Sequence, residues 1–361
     1  MDVVVPFDLQ NVRARRAPPR AVNMRPLASI GAIVLVSAAL VVAYRVWTPG
    51  LDVSDGRHDR GRNAIWLQHG WFASDDWFRR EHKQDHVADF RDPANIQHLA
   101  DLLRAHHITD VFPHISPADK NGDLPPLDHT QVERFLDAFT GFRVMPWASG
   151  VMGKTCRIRD TKWRRYFVES IIGLLVRHPR FAGVHLNIEP CEPGNQDFLA
   201  LLDGLRQALP DGFVLSVAAY PPPLWWQPFR EVHWDGKYFR EVAQRADQLA
   251  VMMYDTGLPW PRAYQYIMRR WTHAVLTNTG HASILLGVPA CDDAGSGYHD
   301  PSVENLANAL LGIHAALATY AVLPKPYQGV AIYCVRETDE AEWQYWEQHF
   351  MRTTELAPVT R

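Results

Sequence analysis

The sequence has few cysteines, four in 361 residues, and no C-x-x-C spacing among them to suggest a zinc site. It has no G-x-x-x-x-G-K-[ST] loop for phosphates and no G-x-S-x-G turn for a nucleophilic serine. No H-x-H occurs, so the histidine sets of metal-dependent amidohydrolases are missing, and neither metal nor cofactor is expected. Basic charge is not in excess. Lys and Arg number 37 against 40 Asp and Glu, a net charge of −3, which argues against a nucleic-acid partner. No repeat of fixed length recurs. What the chain does have is apolar bulk. With 13 Trp, 15 Phe and 12 Tyr it can bury a large core, which excludes wholesale disorder.

Leu27 to Tyr44 is a run of 18 residues without a charge. As a helix rising about 1.5 Å per residue it nearly spans a hydrocarbon core of roughly 30 Å. Arg13, Arg15, Arg16, Arg20 and Arg25 stand before or at its start, against only Asp2 and Asp8. The positive-inside rule then keeps the N-terminus cytoplasmic and sends the rest across. The expected organisation is a basic arm over 1–26, one transmembrane anchor in the lipid bilayer over 27–46, a polar linker over 47–62 and a folded domain over 63–361. That domain would lie outside the cytoplasm, periplasmic or on the cell surface. A cleaved signal peptide is the alternative, with small residues at Ser37-Ala38-Ala39. The apolar run through Val41 and Val42 and the long leading arm favour the anchor.

Eight short apolar runs punctuate the rest: Ala64–Trp71, Ile108–Ile115, Phe142–Ser149, Phe181–Pro190, Phe213–Tyr220, Gln248–Asp255, Ser283–Ala290 and Gly329–Val335. Their apolarity is continuous rather than alternating, as in strands covered on both faces. Helical patterns lie between them at Ile96–His106, Gln131–Phe139, Trp163–Val176, Gln196–Leu209, Tyr238–Gln248, Pro301–Tyr320 and Thr338–Phe350. In the last, Thr338 is followed three residues later by Ala341 rather than a capping-box Glu. Alternating strand and helix predicts right-handed βαβ units and an α/β fold, a (β/α)₈ TIM barrel. A doubly wound open sheet is the alternative, but no G-x-G-x-x-G turn follows any strand.

A barrel of this type gathers its site at the carboxyl ends of the strands. In the fourth run, His185, Asn187 and Glu189 share one face, with Val184, Leu186 and Ile188 on the other. Three polar groups aimed inward are costly without partners or a task. Glu189 among apolar neighbours is expected to have a raised pKa, which suits a general acid.

This segment resembles the strand-4 motif D-G-x-D-x-D-x-E of glycoside hydrolase family 18, the chitinase-like barrels. Gly183 and Glu189 match, while Ala182, His185 and Asn187 replace the three aspartates. Met252-Met253-Tyr254-Asp255 is similar to the family's M-x-Y-D, and Leu286-Gly287-Val288-Pro289 to its L-G-[IV]-P. Tyr333 stands where the family usually has a Trp. Trp147-Ala148-Ser149-Gly150 only loosely resembles its S-x-G-G. The Asn187-Ile188-Glu189 triplet is similar to the N-x-E of family 85 endo-β-N-acetylglucosaminidases.

The resemblance implies a retaining glycosidase in which the substrate's own 2-acetamido group is the nucleophile. Glu189 would be the acid/base, and Asn187 and Tyr254 would hold the acetamido group. It implies Asp255 and Tyr333 as further substrate contacts, with His185 a third that supports Asn187 or Glu189 from one layer deeper. Trp66, Trp147, Trp225 and Trp226 are candidate sugar-stacking rings, the last two on a stiff loop after Pro221-Pro222-Pro223. The partner implied is a polysaccharide or glycan containing 2-acetamido sugars. A barrel that binds glycan without cutting it, and a two-carboxylate retaining glycosidase using Asp292 or Asp293, are the alternatives.

The cysteines follow strands 3 and 4 (Cys156, Cys191) and strands 7 and 8 (Cys291, Cys334). Neighbouring strand ends place both pairs within disulfide reach in an oxidising compartment, so the bridges Cys156–Cys191 and Cys291–Cys334 are expected. Free buried thiols are the alternative.

Overall fold

The computed structural model describes residues 25–226, 230–292 and 298–352. The chain divides between Thr48 and Pro49 into two compact units. In the first, α1 (Arg25–Val46) is helical, and Ile33, Leu35 and Leu40 are exposed along it. Among the described residues no helix is long and apolar enough to cross a membrane. The arginine arm up to residue 24 lies outside the described residues, as does Asp293.

Within the second unit the described strands are β1 (Asn63–Leu67), β2 (Ile108–Pro117), β3 (Arg143–Val144), β4 (Trp147–Val151), β5 (Gly183–Glu189), β6 (Val214–Ala219), β7 (Gln248–Met252), β8 (Ser283–Pro289) and β9 (Tyr327–Tyr333). All pairings among them are parallel, and β1 pairs with both β2 and β9, so the sheet closes. β3 and β4 are two segments of one stave. Pro146 between them has no N–H to give the ladder, which breaks the continuous strand expected from the sequence. The result is the expected closed barrel of eight parallel staves, and closure excludes the open doubly wound sheet.

Helices pack outside: α2 (Asp75–Arg80), α3 (Val87–Arg91), α4 (Pro93–Ala105), α5 (His129–Ala138), α6 (Thr161–Arg177), α7 (Gln196–Ala208), α8 (Gly236–Ala243), α9 (Pro261–Thr277), α10 (Leu306–Leu317) and α11 (Glu340–His349). Most begin at an Asp or Asn whose carboxylate or amide oxygen accepts from the first-turn amides, as Asp128 does for α5 and Asp160 for α6. α11 has a full capping box, Asp339 with Glu342, one residue on from the Thr338 frame read in the sequence. α8 stops at Ala243, short of the expected Gln248, because Gln248 opens β7 with its side chain inside the barrel.

The strand pleat separates two cores. Residues such as Ile65, Val111, Val184, Leu186 and Leu286 face the helices and form the larger one. Ala64, Trp66, Phe112, Met145, Ala250, Leu285 and Ala331 fill the barrel itself, so its axis is packed rather than hollow. Two glycines set the close approach of the staves. A Cβ at Gly183 would lie 2.0 Å from the Val214 carbonyl oxygen, and one at Gly287 2.3 Å from that of Val251. Both are motif glycines, and strand packing alone requires them.

Candidate active site

The interior of the barrel is polar along one line. Asp110 is bound by Arg143, whose Nε donates at 2.8 Å, and accepts from Gln248 Nε2 at 2.7 Å. Gln248 Oε1 accepts from Ser216 Oγ at 2.8 Å, and Ser216 lies 2.9 Å from His185 Nδ1. Trp66 Nε1–H donates to His185 Nε2 at 3.0 Å. An indole only donates, so Nε2 is the bare nitrogen and Nδ1 carries the proton. Phe112 stacks on the imidazole at 4.0 Å, and burial pushes its pKa down to about 3. His185 is fully buried and neutral, one layer below the mouth. It does not line the cavity, which corrects its expected contact with substrate.

Above this layer opens a cavity of about 160 Å³. Trp66 and Trp147 enclose it with Asn187, Glu189, Tyr254 and Tyr333, and Asp255 and Cys291 stand at its edge. The register explains the gathering, since Trp147 pairs with His185, Ser149 with Asn187 and Val151 with Glu189. Tyr254 and Tyr333 stack at 5.5 Å, and Tyr333 also meets the edges of Trp66 and Trp147. The structure thus brings together seven of the expected residues: Glu189, Asn187, Tyr254, Asp255, Tyr333, Trp66 and Trp147. Trp225 and Trp226 are not among them. Trp225 is 93% exposed, and Trp226 is half-buried with its N–H on the Thr256 carbonyl at 3.4 Å. Their proline loop is turned toward α9, where Trp271 Nε1 donates to Pro222 O at 2.8 Å.

Burial raises the pKa of Glu189, a hydrogen bond from the Asn187 side chain opposes the rise, and the nearby Asp255 charge adds to it. Burial also raises the Tyr254 phenol well above its usual value, so it stays a neutral donor. Two of the residues that line the cavity each hold a buried polar atom with no hydrogen-bond partner among the described residues, the carbonyl oxygen Oδ1 of Asn187 and the indole Nε1–H of Trp147. One only accepts and the other only donates.

Sequence reasoning missed the group behind Asp255. This residue closes the rim in a left-handed conformation, φ 61°, which Asp tolerates better than most residues. The buried His299 places Nδ1 3.2 Å from Asp255 Oδ1 and 3.8 Å from Glu304 Oε2, and Nε2 3.0 Å from the Cys291 carbonyl. Burial alone would lower the His299 pKa. Its contacts with Asp255 and Cys291 outweigh that and raise it to about 11. Glu304 also accepts from the Thr256 and Gly257 amides, pinning the turn after β7. Asp255, His299 and Glu304 bring donor atoms within 4.8 Å of one another, the described residues that could hold a metal ion; the imidazolium of His299 supplies the positive charge there. Nothing in the sequence ties His299 to Asp255, because the loop between β8 and α10 delivers it.

The four cysteines are buried free thiols, so neither expected bridge is formed. The thiols of Cys191 and Cys291 are engaged elsewhere, with Cys191 Sγ 3.9 Å from Tyr238 Oη and Cys291 Sγ 3.6 Å from His299 Nε2. Asp292, an expected alternative nucleophile, is exposed, does not line the cavity, and binds Glu337 through its backbone amide.

No family model matches the chain, and no curated protein does. Solved structures of similar fold include the spore cortex-lytic enzyme SleL of Bacillus cereus, with a TM-score of 0.54 and 12% identity over 80% of this chain and 74% of that one. A class V chitinase from Pseudomonas fluorescens Pf-5 gives 0.53 and 14% over 80% and 98%. A chitinase from Chromobacterium violaceum ATCC 12472 gives 0.52 and 15% over 80% and 98%. At such identities the likeness establishes a shared barrel fold and leaves the chemistry to the site.

Proposed function

We propose that the chain is a glycoside hydrolase acting on a glycan of 2-acetamido sugars by substrate-assisted retention. One observation carries this reading. Two residues lining the cavity of Glu189 hold buried polar atoms without a partner, the acceptor Asn187 Oδ1 and the donor Trp147 Nε1–H, which small side-chain shifts on binding would present to a substrate. A secondary amide, with one N–H and one carbonyl, satisfies both, and leaving either unsatisfied costs about 1–3 kcal/mol. The similarity of the barrel to that of proteins described as chitinases and a spore cortex-lytic enzyme is consistent with such a substrate.

In this reading the protonated Glu189 gives its proton to the glycosidic oxygen as the bond to the anomeric carbon breaks. The acetamido carbonyl oxygen closes on that carbon. Asn187 accepts from the acetamido N–H, where positive charge develops, and Tyr254 and Trp147 orient the carbonyl. Glu189, now ionised, takes a proton from the water that opens the cyclic intermediate, which restores the configuration. With Asn at 187 and a neutral, fixed His at 185, no carboxylate lies below Glu189 on its strand to exchange that proton. The uncharged run Leu27–Tyr44 behind its arginines supports a single-pass anchor with the barrel outside the cytoplasm.

The test is calorimetric binding of a disaccharide thiazoline, a stable mimic of the cyclic intermediate, to the purified chain. Binding that weakens at least about tenfold in Asn187→Ala and in Trp147→Phe is expected, matching one lost hydrogen bond each. Folded protein that ignores the thiazoline sinks the substrate-assisted reading. Thiazoline binding without turnover of any 2-acetamido polymer points instead to a glycan-binding barrel.

A further inference from the structure

Two loops at the carboxyl end of the barrel carry charge that the fold leaves unneutralised. The loop after β2 crosses the start of α6, where Trp163 Nε1 donates to the Asp119 carbonyl and Ser170 Oγ receives the Leu124 amide, both at 3.0 Å. The loop after β4 leaves the barrel beside the acid, its Met152 amide donating to the Glu189 carbonyl at 2.8 Å. Between the loops lies a cleft of about 390 Å³ whose wall includes Lys120, Arg157, Lys162 and Tyr166. Lys154 and Arg159 belong to the same loop as Arg157.

All five of these cations are exposed, and among the described residues none forms an ion pair. That sets them apart from Arg164 and Arg165 next along the chain, which pair with Asp197 and Glu169. Nearby acids are committed to the backbone. Asp160 caps α6 by accepting from the Lys162 amide at 2.8 Å, and Asp119 accepts from the amides of Asn121, Gly122 and Asp123. Asp123 is the other carboxylate on the wall. The ring of Tyr166 has Lys162 Nζ 5.7 Å from its centre. In a chain of net charge −3 this basic rim is local, and its longer loop starts at β4, whose last residue Val151 pairs with Glu189 on the neighbouring strand.

We propose that the cleft is an outer subsite for a carboxylate-bearing glycan. The polymer whose 2-acetamido sugar reaches Glu189 carries acidic groups on neighbouring sugars, and Lys120, Arg157 and Lys162 receive them. This rests on the glycosidase reading above. A concave cleft lined by Trp163 and Tyr166, between two loops at the same end of the barrel as Glu189, fits a glycan chain better than a flat anionic surface. Charge-assisted hydrogen bonds to carboxylates are the strong class, and they weaken as salt screens the approach.

The experiment measures affinity of the full-length chain for three probes at about 50 and about 300 mM salt, on either side of physiological screening. The probes are a hyaluronan hexasaccharide, peptide-free murein glycan strands bearing lactyl carboxylates, and the neutral N-acetylchitohexaose. At low salt at least one acidic glycan should bind about tenfold tighter than the neutral one, worth about 1.4 kcal/mol. That preference should vanish at high salt and in the Arg157→Glu/Lys162→Glu double variant, while the affinity for N-acetylchitohexaose stays unchanged. Equal affinity for all three glycans overturns the proposal. So does a preference that survives the double variant, or anionic phosphatidylserine vesicles being the only probe whose binding the double variant abolishes. If the thiazoline test fails while the variant-sensitive acidic preference stands, the glycosidase reading falls and the anionic subsite remains.

Discussion

Trp66 fixes the tautomer of His185: its indole N–H occupies Nε2 at 3.0 Å, so the imidazole proton stays on Nδ1, facing Ser216. His185→Ala leaves Trp66 Nε1 and Ser216 Oγ short of a partner at the centre of the barrel, beside a new cavity against Phe112. A loss of about 2–5 kcal/mol in unfolding free energy is expected. Denaturant titration checks it, and a change below about 0.5 kcal/mol, the range of ordinary surface substitutions, contradicts the assignment.

Glu189→Gln removes the proton donor and keeps the shape of the cavity. Turnover on the responsive polymer should fall by about 10²–10⁴. Affinity for the thiazoline should stay within about threefold of wild type, less than one hydrogen bond is worth. Single-turnover kinetics beside calorimetry separates the two effects.

Asp255→Asn tests the coupling across the cavity. The charge of Asp255 adds to the raised pKa of Glu189, so removing it lets the Glu189 pKa fall. The acid must be protonated to act, so the alkaline limb of kcat/KM should move to lower pH. A loss of kcat of about 10³ or more with thiazoline binding intact would instead mark Asp255 as the nucleophile of a two-carboxylate enzyme.

Burial holds His69 neutral to about 4 and His114 and His185 to about 3, all below the usual 6.5. Below pH 6.5 the unfolded chain takes up protons that the folded one refuses. The stability they contribute is therefore present above that pH and is lost as pH falls toward 3–4, at about 1.4 kcal/mol per pH unit per group. Glu189 and Glu304, raised by burial, act in the opposite direction, since they favour the folded state as pH falls through their folded pKa values. Glu342, raised by burial to about 7, and His299, raised by its contacts with Asp255 and Cys291 to about 11, act with them. Burial also holds His58 to about 4 and His314 to about 3, so the lowered histidines outnumber the opposing groups and Tm should drop between pH 7 and pH 5. Calorimetric scans at the two pH values decide it, and an unchanged or higher Tm at pH 5 contradicts it.

Burial raises the thiols of Cys156 and Cys334 to about 11 and that of Cys191 to about 12. Folded protein at pH 8 should therefore react slowly with a thiol reagent, and unreduced protein in denaturant should release four equivalents. Two or fewer equivalents would show a bridge.

The barrel was legible in the sequence because its staves are covered on both faces and read as unbroken apolar runs. Helix α9 was not read, although Tyr264, Ile267, Met268, Trp271 and Val275 mark a buried stripe at helical spacing. It starts at Trp260-Pro261 with no side-chain cap, and the usual Ser, Thr, Asp or Asn signal is missing. Asn187 and Glu189 were found because strand alternation determines where they point, and Tyr254 because Met252-Met253-Tyr254-Asp255 resembles a known strand-end motif. His299 and Glu304 were not, because a loop decides their position and period-two reasoning does not reach it. Trp225 misled for the opposite reason, since a stiff proline loop was visible and its direction was not.

The hydrogen bonds from Trp66 through His185, Ser216 and Gln248 to Asp110 all point the same way, each group giving a proton to the next. Such a chain resists change one residue at a time. An aspartate at 185 would still accept from Trp66, but an ionised one has nothing to give Ser216, and a reversed Ser216 hydroxyl would leave Gln248 Oε1 bare. A barrel with aspartate at this depth is therefore separated from this one by at least two coupled substitutions or by an intermediate of lowered stability. Chains that share the histidine are expected to have inherited Ser216 and Gln248 with it.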